Sequence, residues 1–261
     1  MTALQYLLGA IAGSAVGFTL GLVGGGGSIL AVPLMVYLVG VDDPHVAIGT
    51  SALAVAANAL IGLTGHARQH HVKWPCAATF AAAGVAGAWF GSMLGKAVDG
   101  QKLLALFSLL MIAVAGLMFR SRGREGDPGV VLDRSNAPRL LAAGTATGLL
   151  SGFFGIGGGF LVVPRLIAST GMPILFAVGS SLLAVTAFGL TTALSYASSG
   201  LVAWTLAGVF VGGGAVGSLA GTRLANRLAG RKGALNLVLG GLIVLVALYM
   251  LQRTASEVGW L

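Results

Sequence analysis

The charged residues of this chain are gathered into a few short clusters, and the stretches between them are apolar and long enough to cross a bilayer. The clusters lie around 66–75, 96–102, 120–139 and 223–232. Soluble domains carry roughly 25% charged residues, so a soluble chain of this length would hold about 65. Here 15 Lys and Arg stand with only 7 Asp and Glu, 8% of 261 residues, against 56% hydrophobic. The pattern specifies a polytopic helical membrane protein. It excludes a soluble enzyme, a nucleic-acid binder and a disulfide scaffold, the last because Cys76 is the only cysteine. The net charge of +8 then reads as loop Lys and Arg on the cytoplasmic side, with no nucleic-acid partner.

No Lys or Arg precedes Arg68, so the first apolar stretch lacks a basic n-region and is expected to be a retained span. The longest polar stretch, near 120–138, is too short for a core of its own.

The chain repeats itself. Gly13–Gly40 lies over Gly144–Gly171 at an offset of 131, with 11 of 28 positions identical. At an offset of 130 the match resumes, pairing Gly49-Thr50-Ser51 with Gly179-Ser180-Ser181, Trp74 with Trp204, and Gly84, Gly87 and Gly91 with Gly214, Gly217 and Gly221. The expected organisation is a first transmembrane repeat over 1–120, a cytoplasmic connecting loop over 121–138 and a second repeat over 139–261. A duplication kept only for packing would look the same, but two halves are what transporters built from internal repeats show.

Expected spans are 3–22, 28–40, 45–64, 76–95 and 102–119, then 139–153, 159–170, 174–195, 204–222 and 233–251. The second of each set is short, since 13 residues cover only about 20 Å of a core about 30 Å thick. Such a segment either crosses as part of a broken hairpin or dips in and returns. Five crossings per half make the repeats inverted. With the amino terminus outside, eleven Lys and Arg then fall inside and three (Lys96, Lys102, Arg253) outside. Four crossings per half split them eight to six, so the positive-inside rule favours the inverted arrangement. The expected fold is all-α, an inverted repeat of 8–10 transmembrane segments with short broken helices after the glycine runs.

Those runs are Gly24-Gly25-Gly26-Gly27-Ser28, with Pro33 downstream, and Gly155-Ile156-Gly157-Gly158-Gly159, with Pro164 downstream. Each glycine costs about 1 kcal/mol of helix propensity relative to Ala, so the runs unwind the helix. Backbone unwound at membrane depth must be buried in protein or line a wet cavity. A helix restarting at Ser28 or Gly159 would aim bare N–H groups and a positive dipole end into that space, which suits an anion. A tight turn at the membrane edge is the plainer reading.

At these residues the chain resembles the sulfite exporter TauE/SafE family of membrane permeases. The likeness covers both halves, including the doubled glycine stretches with their prolines, Gly49-Thr50-Ser51 and Gly179-Ser180-Ser181, and the loops ending at Trp74 and Trp204. It implies transport of sulfite, sulfoacetate or a related organosulfur or organic anion across the bacterial inner membrane. Asn58, which looks like the family's intramembrane Asn, is matched in the second half by Phe188, so symmetry breaks there.

The candidate binding residues are Gly25, Gly26, Gly27, Ser28, Thr50, Ser51, Asn58, Gly157, Gly158, Gly159, Arg165, Ser180 and Ser181. Ser51 and Asn58 are two turns apart and share a helix face. Ser and Thr are also ordinary glue between helices. Arg165 lies within 159–170, where its planar fork suits sulfonate, sulfite or carboxylate; snorkelling to the cytoplasmic face is the alternative. His66, His70 and His71 sit beside Arg68 and Lys73 without a nearby Cys or carboxylate, and are expected to be solvated loop histidines, not metal ligands. No Asp or Glu falls in the middle of a span, which argues against a carboxylate proton relay, a cation permease and acid–base catalysis. No cofactor is expected. The expected partners are a small anion and the lipid bilayer, with a second copy of the chain as a candidate. A non-transporting accessory or assembly protein is the competing function.

Overall fold

In a computed structural model the described residues, which are 2–120, 127, 129–133, 136–228, 248 and 252, form helices joined by short connections, with no strand among them. The expected span 233–251 therefore lies outside them, apart from residue 248. The helices are α1 (Ala3–Val23), α2 (Ala31–Pro33), α3 (Pro44–Arg68), α4 (Trp74–Ala97), α5 (Gly100–Arg120), α6 (Ala137–Phe154), α7 (Gly159–Thr170), α8 (Ile174–Ala197) and α9 (Trp204–Leu228). A 3-10 segment, Gly24–Leu30, precedes α2, and a π-helical turn, Leu34–Leu38, follows it.

Local chemistry sets many of the ends. Thr2 and Gln5 form a capping box on α1, and Asp43 caps α3 by accepting from the His45 N–H at 2.8 Å. Proline stands in the first turn of α3, α4 and α6, where its missing N–H costs nothing. Gly171, at φ 76°, terminates α7 in the left-handed region.

The bilayer offers no hydrophobic drive between helices, so their association rests on close backbone approach. Gly13, Gly17 and Gly21 of α1 lie against the carbonyls of Phe210, Gly214 and Ser218 of α9. Their repeat mates Gly144, Gly148 and Gly152 of α6 lie against Phe80, Gly84 and Ala88 of α4. The residue numbers rise together in both pairs, so α1 runs parallel to α9 and α6 parallel to α4. Between these pairs α3 crosses α8 in the opposite sense, with Gly62 on Leu182 and Gly189 on Ala52 and Ala56. Each half thus packs its first helix on the third long helix of the other, and corresponding residues make corresponding contacts.

The segment after each glycine run folds back. Gln5, at the start of α1, donates from Nε2 to the Gly40 carbonyl at 3.2 Å. In the second half, Arg139 and Ala142 of α6 share one groove with Arg165 and Ser169 of α7. Both short segments therefore return toward the end where their hairpin began. The sequence left crossing and returning open; the structure has both segments return, and five helical stretches among the described residues are long and apolar enough to cross a membrane.

Two ends result. At one, Gly179 meets His71, Gly65 meets Thr222, and the Asp127 N–H reaches the Gly171 carbonyl. Arg68, Lys73, Arg139 and Arg223 gather there. At the other, Gly100 meets Pro44 and Lys96 donates to the Ser195 carbonyl at 2.8 Å. The basic end is expected to be cytoplasmic. In a Cys76→Ala background, an impermeant thiol reagent on intact cells should label Asp42→Cys and not Gln69→Cys. Both positions are exposed, so labelling of the second alone would reverse the orientation.

Candidate functional site

The two glycine runs touch at the centre of the molecule. Gly25 and Gly159 approach so closely that a Cβ on either would overlap the other's backbone. Gly157 is wedged between Val55 of α3 and Val185 of α8. All the residues from Gly24 to Leu30 are buried.

Hydroxyls fix this contact. The Gly25 N–H donates to Ser181 Oγ at 3.1 Å, and Ser181 in turn donates to the Val178 carbonyl at 2.7 Å. Ser28 Oγ donates to the Gly25 carbonyl at 2.9 Å. Gly25 is thus held at both its amide and its carbonyl. Gly24 sits at φ 68°, ψ −145°, a region essentially confined to glycine; in the second run Gly155, Gly157 and Gly158 are left-handed.

The expected helix restart occurs at Gly159 but not at Ser28. Gly158 is the N-cap of α7, whose first amides have no intrahelical partner by geometry. In the first half the chain stays 3-10 through Leu30, because Ser28 closes a tight turn onto Gly25 and Thr19 reaches the Gly27 carbonyl at 3.4 Å.

Of the residues singled out in the sequence, Gly25, Ser28, Gly159 and Ser181 come together, with Gly26, Gly27, Gly157 and Gly158 adjoining them in the chain. Ser51 donates to the Ile48 carbonyl at 3.0 Å. Thr50 and Ser180 have another employment: their hydroxyl oxygens accept from the Ala203 and Lys73 N–H groups, each at 2.9 Å, tying down the starts of α9 and α4. Asn58 is fully buried against Gly214 of α9, with neither side-chain atom hydrogen-bonded. Arg165 stays apart from the glycine contact. It is exposed and lines, with Arg139, an open groove of about 460 Å³ between α6 and α7.

One expectation is overturned. His66 is not a solvated loop histidine: it closes the last turns of α3, is 0% exposed and lies 3.4 Å through Nε2 from the Gly21 carbonyl. The helix simply extends to Arg68, four residues beyond the expected span. His70 alone of the three is exposed, in the left-handed region at φ 56°.

Sequence reasoning missed Ser151 and Ser218, both buried with unpartnered hydroxyls. Ser151 lies against Gly158 and Ser218 against Gly62. A signal existed: their repeat mates are Leu20 and Ala88, so each is a polar residue on one side of the repeat only. Among the described residues no group of three His, Cys, Asp or Glu could hold a metal.

The family described as Sulfite exporter TauE/SafE matches residues 9–250. A probable membrane transporter protein of Xylella fastidiosa (strain 9a5c) is 51% identical over 245 residues, 93% of each chain. The probable membrane transporter protein YunE of Bacillus subtilis is 28% identical over 243 residues, 85% of this chain and 88% of that one. A third, from Methanocaldococcus jannaschii, is 30% identical over 161 residues, 58% of this chain and 59% of its own length. No solved structure matches.

Proposed function

Because this chain belongs to the sulfite exporter TauE/SafE family and is a multi-pass permease of a bacterial membrane, we propose that it moves a small oxyanion, sulfite, sulfoacetate or a related organosulfur or organic anion, outward by alternating access. The observation that carries this reading is the central contact of Gly25 with Gly159, where unwound backbone from both halves meets among buried hydroxyls. The first amides of α7, beside this contact and without a side-chain cap, favour negative charge without needing a fixed cation. The two halves act as an inverted pair whose hairpins rock against each other around this point. Outward movement of net negative charge from a negative-inside cell is downhill by about 2.3 kcal/mol per charge per 100 mV, which favours export.

Flux of labelled sulfite and sulfoacetate from proteoliposomes tests the reading. Flux no greater than from empty liposomes would return the chain to an accessory role. Arg165 serves as a collecting residue at the basic end, drawing anions toward the α6–α7 groove. Arg165→Leu should raise KM several-fold, most at low salt, and leave kcat unchanged. An unchanged KM assigns the guanidinium to the membrane interface.

A further inference from the structure

The exposed groove does not account for the buried polar groups at the basic end. Asn58, Gly62 and His66 follow one another at four-residue spacing on one face of α3, toward α9. Against them stand Gly214 and Ser218, with Thr222 beside Gly65. Asn58 Oδ1 and Nδ2, His66 Nδ1 and Ser218 Oγ are all buried and unpartnered. The repeat mates of Asn58, His66 and Ser218 are Phe188, Tyr196 and Ala88. A polar seam therefore runs from the membrane interior to the basic end; the matching face of α8 also keeps Thr192 and Tyr196 hydroxyls buried and unpartnered, but only the α3 face carries an imidazole.

His66 connects this seam to the glycine contact. Its Nε2 faces the carbonyl of Gly21, three residues before Gly24. Its Cβ lies against Gly179 of α8, two residues before Ser181, whose oxygen holds the Gly25 amide. The tautomer satisfying the Gly21 carbonyl carries its proton on Nε2 and leaves Nδ1 a bare acceptor. A bare acceptor in a buried site is costly. Adding a proton makes Nδ1 a charged donor that still lacks a protein acceptor, and an oxyanion beside it supplies one. In low dielectric the two charges stabilise each other far more than in water.

We propose that His66 is a proton-binding site of the transport cycle, and that one proton binds with each anion. The proposal rests on the anion reading above and adds the coupling ion. A hydronium ion at the basic end transfers its proton to Nδ1, forming the imidazolium and leaving a water; the imidazolium returns the proton to solvent when the anion leaves. The surroundings fit this role. The Gly21 carbonyl faces the ring from α1, and the Gly179 backbone packs on its Cβ from α8. Ser218 and Thr222 of α9 lie against Gly62 and Gly65, in the turn that precedes His66. The His71 ring stands 6.1 Å away, held below the ordinary imidazole range by burial and by the charge of His70. Arg68, His70 and Arg223 are exposed at the same end, where Lys73 and Asp127 also lie.

The test is sulfite binding to the purified protein between about pH 5 and 8, in wild type and His66→Gln. Sulfite's own ionisation affects both proteins alike, so the difference in slope reports the residue. Wild-type Kd should rise about tenfold more per pH unit than that of the variant. Equal slopes overturn the proton site alone. Sulfite binding at no pH overturns the anion reading and the proposal with it. Since the variant can fail to fold, the His66 ring is also titrated by NMR in ¹⁵N-histidine-labelled wild type. Its midpoint should rise on adding sulfite, by the reciprocity of linkage. A midpoint that stays fixed in protein that binds sulfite overturns the proposal.

Discussion

Gly159→Ala is expected to abolish anion flux, although it adds a single methyl group. That methyl would overlap the carbonyl carbon and oxygen of Gly25, and Gly25 has no freedom to withdraw. Its amide is fixed by Ser181 and its carbonyl by Ser28. Relief requires the two hairpins to separate at the point where the substrate is proposed to bind. Overpacking usually costs about 1–3 kcal/mol when side chains can adjust, and rigid backbone on both sides puts this case at the upper end. Gly25→Ala should behave likewise, because its methyl would meet Gly159 and come within 2.7 Å of Val185. Gly208→Ala is the control: nothing lies within 4 Å of that position, so helix propensity alone should stabilise it by up to about 1 kcal/mol. Flux in proteoliposomes and thermal unfolding in detergent measure both consequences. Wild-type flux through Gly159→Ala would mean that the central contact is not part of the path.

Gly17→Leu and Gly148→Leu form the second large effect, and the two should match. Gly17 faces the backbone of Gly214, and its repeat mate Gly148 faces that of Gly84. A leucine at either place must drive two parallel helices apart along an interface built from glycines one turn apart. The loss should exceed the roughly 1–3 kcal/mol of ordinary overpacking, since most of the interface is released with it. Denaturation by SDS should find both variants destabilised within about 1 kcal/mol of each other, the scatter expected of independent sites. A wide difference would mean that the two interfaces carry unequal loads despite matching contacts. The contrast is at Asn58 and Phe188. Phe188 packs on Phe80 with ring centroids 6.2 Å apart and covers Gly84, so Phe188→Asn opens a cavity worth about 3–5 kcal/mol. Asn58→Phe replaces unpartnered polar atoms with apolar ones and should cost far less.

The amino-acid sequence by itself determined the membrane-spanning class, the helix boundaries to within a few residues and the doubled glycine runs. These are local quantities: a run of apolar side chains, a proline or capping residue at its start, a glycine cluster that no helix tolerates. The pairing of helices was only half legible. Glycines at four-residue spacing mark faces that backbones can approach, but nothing in α1 says that its partner is α9, nearly 200 residues away. Hydropathy is blind to that choice because lipid is as apolar as leucine. Tertiary structure alone decided that the short segments return, that Gly25 meets Gly159, and that Thr50 and Ser180 are occupied by backbone amides while Asn58 is not. It also moved His66 from water into the bundle. Whether a polar side chain is solvated, satisfied or left bare depends on which distant backbone packs over it, and that is fixed only when the two halves close on each other.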